Sequence, residues 1–416
     1  MTEVFNIVFH IALFSAVYFQ VFILLIFFEN CQEIRKEKEF ESAETDALTC
    51  PSATIIVPCY NEEKTIFKTI TSLINLDYPK DKLKIFVVDD GSVDGTFNII
   101  KRFETNPAVK IFRKENGGKW TALNYALGWV ETELVGCLDA DSFVAPNALK
   151  IVAAHFKNPE VMAVTPAIKI LNPRNILERI QNIEYRLSIF KRKILSFLNA
   201  VYVTPGPFSV FRKQVFDKLG KYREAHQTED LEIALRMNVN NYKIVSSTRA
   251  FVYTVAPNTF RGLVRQRTRW NYGFLKNMFD YYFMIFNKKH GHLGIFILPF
   301  MLFSIFLALG LFLIIIYNFI QYLMDYFIKI YTVGFEFSLL NLRFDWFFFN
   351  SDALVFLGFV SLVLALTSII LVNKLIEEKI IAPFDTIYFI FFYGFLAPFW
   401  LAKSLYHAVF SKKIKW

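Results

Sequence analysis

At 416 residues the chain can hold one large domain or two smaller ones. Its 54% hydrophobic and 18% aromatic content, including 48 Phe, excludes an ordinary soluble domain. The net charge of +9 comes without any nucleic-acid motif, so the partners it suggests are membrane lipids and phosphate, with no nucleic acid.

The apolar residues gather at the two ends. Residues 4–28 carry no charge and are long enough to span a bilayer, without the basic start and small-residue cleavage site of a signal peptide. The segment 1–30 is therefore expected to be a transmembrane helix. Residues 29–44 are dense in charge, and Arg35, Lys36 and Lys38 place that side in the cytoplasm. The four cysteines lack metal spacing, and Cys59 and Cys137 fall at strand ends, which fits a reduced cytosolic domain.

Residues 54–58 read as a buried strand, 63–76 as a helix, 84–88 as a second strand and 94–103 as a short helix. A third strand at 109–112, a helix at 120–130 and a fourth strand at 134–138 complete a strand–helix alternation. That order implies an α/β fold with a doubly wound, mostly parallel sheet. The fourth strand ends in Leu138-Asp139-Ala140-Asp141. Side chains at i and i+2 leave a strand on the same face, so both carboxylates enter the crevice where such sheets hold ligands. Two carboxylates there repel each other unless a hard divalent ion sits between them.

Farther on, 176–199 reads as a long basic and apolar helix, and 204–207 as a turn before a strand at 208–211. Thr228 is expected to cap a helix reaching about residue 238. Residues 243–245 and 251–255 read as two strands, and 259–274 as a basic amphipathic helix suited to the bilayer surface. Residues 293–316 and 353–372 are charge-free spans, and 386–402 is another, interrupted by Pro398. A further crossing within 317–350 would give an even count after the α/β domain and bring Lys412, Lys413 and Lys415 to the cytoplasmic side.

Seven motifs stand in order: Val57-Pro58-Cys59-Tyr60-Asn61-Glu62, Val88-Asp89-Asp90-Gly91-Ser92, Gly117-Gly118-Lys119, Leu138-Asp139-Ala140-Asp141, Gly206 with Phe211-Arg212, Thr228-Glu229-Asp230, and Gln266-Arg267-Thr268-Arg269-Trp270. Together they resemble the membrane-embedded glycosyltransferases of family 2, which include the synthases of cellulose, hyaluronan and poly-N-acetylglucosamine. The resemblance implies a GT-A fold over residues 51–258, amphipathic interface helices at 259–290 and a transmembrane region at 291–416. It implies an inverting transfer from a nucleotide-diphosphate sugar, a UDP-sugar such as UDP-N-acetylglucosamine, to a growing glycan. Single-sugar transfer to a lipid acceptor is the alternative, and an inactive membrane scaffold the second one. The enzyme is expected in the cell membrane with its catalytic domain in the cytoplasm, alone or with a homo-oligomeric or export partner.

The implied roles follow residue by residue. Asp141 and Asp139 would hold Mg²⁺ or Mn²⁺, with Asp139 also toward the donor. Pro58, Tyr60, Glu62, Asp90 and Lys119 would bind the nucleotide, Tyr60 by stacking and Lys119 by its charge on the diphosphate. Asp230 is the expected base, because inversion needs a carboxylate beside the acceptor hydroxyl, and Glu229 supports it. Gly206, Arg212, Gln266, Arg267, Arg269 and Trp270 would serve the acceptor and diphosphate, with Trp270 as a stacking floor for the sugar.

Overall fold

The computed structural model describes residues 2–42, 50–333, 353–376 and 383–410. In chain order its elements are α1 (Thr2–Glu29), α2 (Cys31–Ser42), β1 (Ala53–Cys59), α3 (Ile66–Ile74), β2 (Leu83–Asp89), α4 (Thr96–Lys101), β3 (Val109–Arg113), α5 (Lys119–Leu127), β4 (Leu134–Cys137), β5 (Ser142–Val144) and α6 (Ala148–His155). There follow β6 (Val161–Ile170), α7 (Ile176–Phe197), β7 (Ser209–Arg212), α8 (Gln214–Leu219), α9 (Glu229–Val239), β8 (Lys243–Thr254), α10 (Phe260–Asp280), α11 (Leu298–Val333), α12 (Ala353–Leu375) and α13 (Pro383–Val409). They form two compact units, Met1–Leu25 with Phe300–Ser368, and Ile26–Pro299 with Ile369–Trp416.

The second unit holds an eight-stranded sheet in the order β3-β2-β1-β4-β7-β6-β8-β5. The first four strands are parallel and in register, with Ile55 opposite both Ile85 and Gly136. The central pair, β1 and β4, is buried on both faces, which is why these two read as unbroken apolar runs. On α3, Ile66, Ile70 and Leu73 recur at helical spacing and are fully buried on the sheet. Each contributes about 1.5–3 kcal/mol relative to an exposed side chain. The parallel half, with its polar turns at the carboxyl edge, has the expected mostly parallel α/β architecture.

Beyond β4 the sheet departs from the sequence reading. β7 runs antiparallel to β4, and β6 inserts between β7 and β8. β6 went unread because Pro166 interrupts its alternation. Residues 243–254 form one strand, not two, with a register shift between Thr165 and Ala167 that bulges out the polar residues near Ser247. The bulge has a use: Ser247 donates to Glu41 of α2 at 2.6 Å, and Glu41 also meets His155 at 2.9 Å. Asn175 and Glu178 form a reciprocal capping box that starts α7.

Four helices among the described residues are long and apolar enough to cross a membrane: those at Asn6–Glu29, Leu293–Thr332, Ala353–Leu375 and Phe384–Val409. In the first unit Phe19 stacks on Phe300 at 4.6 Å and Gln20 donates to Ser361, tying α1 to α11 and α12. α11 continues unbroken to Val333, so residues 317–333 extend the preceding helix and add no crossing of their own. Residues 334–350 and the terminal lysines lie outside the described residues. α13 also continues through Pro398 without ending.

Candidate active site

The carboxyl edge of the parallel strands carries the polar groups. β1 ends at Cys59 and delivers Tyr60, 46% exposed, and Glu62, while Pro58 itself stays buried opposite Val88. Asn61 takes the left-handed turn, φ 55°, that asparagine tolerates, and its side chain accepts from the Val93 amide. A cleft of about 560 Å³ opens beside this turn, lined by Glu62, Asp94 and Asp141 on one side and Pro257 and Gln266 on the other.

Three acids bear on one another here. Burial first, then the charges of Asp139 and Glu62, push the Asp141 carboxyl up to about 7. Burial, with Asp139 and Asp94, also raises Glu62. Asp141 accepts from the Ser142 hydroxyl at 3.0 Å and has no basic partner among the described residues. Asp139 is instead paired, its Oδ1 lying 2.6 Å from Lys119 Nζ. An all-oxygen donor set with unbalanced negative charge fits a hard divalent ion. Asp141 could hold such an ion, with Asp139 and Glu62 beside it.

On the other side of Asp139, Lys119 also reaches Glu229 at 3.1 Å. Burial would lower the Lys119 pKa, but Asp139 and Glu229 outweigh it and hold the amine well above its ordinary range. Burial raises Glu229, and Lys119, a backbone hydrogen bond and Arg269 together more than reverse this, so its carboxyl ends below the usual value. Asp230 lacks that partner. Burial, then Glu229, push it up to about 6 against the opposing charges of Lys119 and Arg269. Its main-chain carbonyl is fixed by the Thr204 amide and hydroxyl at 3.1 and 2.8 Å. Two adjacent acids thus sit in opposite states of readiness, one a committed anion and one a base near neutrality.

Gly206 makes the Lys119–Asp139 pair fit. A Cβ there would lie 2.5 Å from Lys119 Nζ and 2.9 Å from both Asp139 oxygens. Gly206→Ala should therefore cost on the order of 10-fold or more in turnover through displaced charges, with thermal stability nearly unchanged. Steady-state kinetics beside a melting curve checks this; wild-type turnover would exclude a working role for the pair.

Four expected residues sit differently from the sequence reading. Arg212 pairs with Leu134 at the start of β4, the end opposite Asp139, because β7 is antiparallel. Its guanidinium donates to the carbonyls of Val161, Phe156 and Asn158, so it does not serve a diphosphate. Arg267 is 2% exposed and donates to Glu184 at 2.7 Å, so it makes no phosphate contact. Its guanidinium instead stacks 4.1 Å from the Trp270 ring and holds that ring, 37% exposed, in place. Asp90 is buried, with its carboxylate taken by Lys114 at 2.6 Å and the Gly117 and Gly118 amides. It shapes the loop that carries Lys119. Thr228 makes no cap bond to α9. Gln266 faces the cleft and Arg269 acts on Asp230 and Glu229, so these two do join the acids. Lys114 went unread, since only the fold brings it to Asp90.

Residues 54–220 match the family described as Glycosyl transferase family 2. A poly-beta-1,6-N-acetyl-D-glucosamine synthase of Staphylococcus epidermidis is 30% identical over 372 residues, 88% of this chain and 85% of that protein. A synthase of the same description from Staphylococcus aureus strain COL is 31% identical over 275 residues, 64% of this chain and 65% of its own. Among solved structures, a mannosyltransferase from Pyrobaculum calidifontis in complex with GDP-Man and Mn²⁺ aligns with TM-score 0.55 and 19% identity over 95% of this chain and 99% of that one. Sheet and matches together define a glycosyltransferase of the GT-A fold with helices apolar enough to span a membrane. The chain belongs to glycosyltransferase family 2.

Proposed function

We propose that this enzyme extends a poly-N-acetylglucosamine chain at the membrane, by inverting transfer from UDP-N-acetylglucosamine. The observation that carries the reading is the 30% identity to a poly-beta-1,6-N-acetyl-D-glucosamine synthase across most of both chains. In the reaction the acceptor hydroxyl oxygen attacks the anomeric carbon, its proton passes to Asp230, and the bond to the diphosphate oxygen breaks. Asp230 begins near neutrality, which suits a general base at cellular pH. A divalent ion, when bound at Asp141 and Asp139, supplies Lewis-acid neutralisation of the leaving diphosphate. Lys119 lies one bond from Asp139 and can turn its charge toward that diphosphate. Glu62 and Gln266 line the cleft; the nucleotide would lie toward Tyr60 and Glu62, and the acceptor toward Gln266 and Trp270.

The basic residues following α1 support a cytoplasmic catalytic domain. Single-sugar transfer to a lipid remains the competing reading. Purified protein offered UDP-N-acetylglucosamine, UDP-glucose and GDP-mannose should release nucleotide fastest from the first and form long products by mass spectrometry. Inverted vesicles should use donor added outside, and sealed right-side-out vesicles should not. A product one sugar longer than a lipid acceptor would overturn the polymerase reading.

A further inference from the structure

The residues just before Asp230 are held in an unusual way. Ala225, His226 and Gln227 all lie in the left-handed region, with φ of 43°, 53° and 70°. L-residues visit that region singly, and a run of three persists only when its surroundings impose it. The surroundings are one face of α10. His226 meets Asp280 at 2.9 Å and lies edge-on to Tyr272. Asn277, fully buried, donates to the Thr228 hydroxyl at 3.0 Å and approaches the Ala225 carbonyl at 3.4 Å. The same hydroxyl donates back to Ala225 at 3.1 Å, which explains why it does not cap α9. Gly273 stands where a Cβ would lie 2.3 Å from both Thr228 Oγ1 and Cγ2. Spacings of three, four and seven put Gly273, Asn277 and Asp280 on one stripe of the helix.

The other end of this helix carries Gln266, which lines the cleft, and Arg269, whose charge acts on Asp230, with Trp270 next to it. We propose that α10 sets the position of Asp230 from behind, with Asn277 and Gly273 as positioning residues that make the acceptor-facing helix and the base one rigid body. This rests on the assignment of Asp230 as the base. Thr228 is two residues from Asp230, so slack in its anchor reaches the carboxylate directly. An error of about 1 Å in such a group costs on the order of 10²-fold.

The test uses the full chain in detergent, with UDP-N-acetylglucosamine as donor and UDP binding measured separately. Asn277→Leu keeps the buried volume without the donor group, and Gly273→Ala forces the helices apart. Each should lower kcat by about 10- to 100-fold, with KM for donor and UDP affinity changed less than about twofold. The acid limb of the pH–rate profile should also move, because the distances from Asp230 to Glu229, Lys119 and Arg269 change. Thr228→Ala removes the two closest of the three colliding atoms and leaves only its Cβ, at 2.8 Å, so Gly273→Ala with Thr228→Ala should recover part of the activity lost in Gly273→Ala alone. Normal UDP binding shows that each variant is folded. Wild-type kcat and pH limb in folded Asn277→Leu would overturn the positioning role, as would equal losses of kcat and UDP affinity. Asp230→Asn run alongside separates the two readings: if it keeps its turnover the base assignment falls and the positioning role with it, whereas an inactive Asp230→Asn beside a normal Asn277→Leu sinks the positioning role alone.

Discussion

Asp230→Asn should lower kcat by about 10²- to 10⁴-fold, the range general-base catalysis supplies, while KM for the donor stays near wild type. The expectation follows from the pairing at the head of α9. Glu229 is spent on Lys119 and lies below its ordinary range, so it is a poor proton acceptor. Asp230 is pushed up to about 6 and, among the described residues, its one side-chain hydrogen bond is to the Leu231 amide at 2.9 Å. The sign of the pH dependence is fixed by this. The base works when ionised, so kcat/KM in the wild type should climb through about pH 6 and level off above it. Below that limb the rate should fall about tenfold per pH unit. In Asp230→Asn the limb should vanish along with the rate. If the variant instead loses donor affinity and keeps its turnover, the proton goes elsewhere.

The parts of this arrangement that were legible from sequence share one property: their partners are local or repeated. Buried parallel strands announce themselves as apolar runs, and a run that stops at Asp139 and Asp141 must drop both acids at the sheet edge. The order Gly117-Gly118-Lys119 and Thr228-Glu229-Asp230 carried the family resemblance. What escaped depended on contacts far along the chain. Thr228 reads as a cap because its hydroxyl is two or three residues ahead of the amides a cap serves, yet its partner is Asn277, 49 residues away. Arg212 and Arg267 look like phosphate ligands because both are basic and close to motifs. The antiparallel turn of β7 sends the first to the far edge, and Glu184 on α7 captures the second. β8 divides in two on paper because the polar bulge around Ser247 breaks its alternation, and only the seat it gives Glu41 explains why that bulge is there.

Asp141→Asn should remove turnover, by about 10³-fold or more, and yet leave a protein at least as resistant to heat as the wild type when both are free of metal. The two halves of this expectation have one cause. Asp141 is buried, with Asp139 and Glu62 beside it and no basic partner among the described residues, so its ionised form is disfavoured and its pKa rises to about 7. Lys119 relieves it only in part, being paired with Asp139 and Glu229. An amide of the same shape keeps the Ser142 contact and removes the repulsion, so folding should gain slightly or stay level. Such gains at the expense of activity are usual where a site is built from like charges. A divalent ion changes the balance in the wild type, where binding to the native state adds RT ln(1 + [L]/Kd) to stability. Wild-type Tm should therefore rise with Mn²⁺ or Mg²⁺ and return on chelation, while Asp141→Asn should show a flat response. Nucleotide release should follow the same pattern and cease in chelator. A variant that still shifts its Tm with metal, or a wild type fully active in chelator, would move the ion away from Asp141.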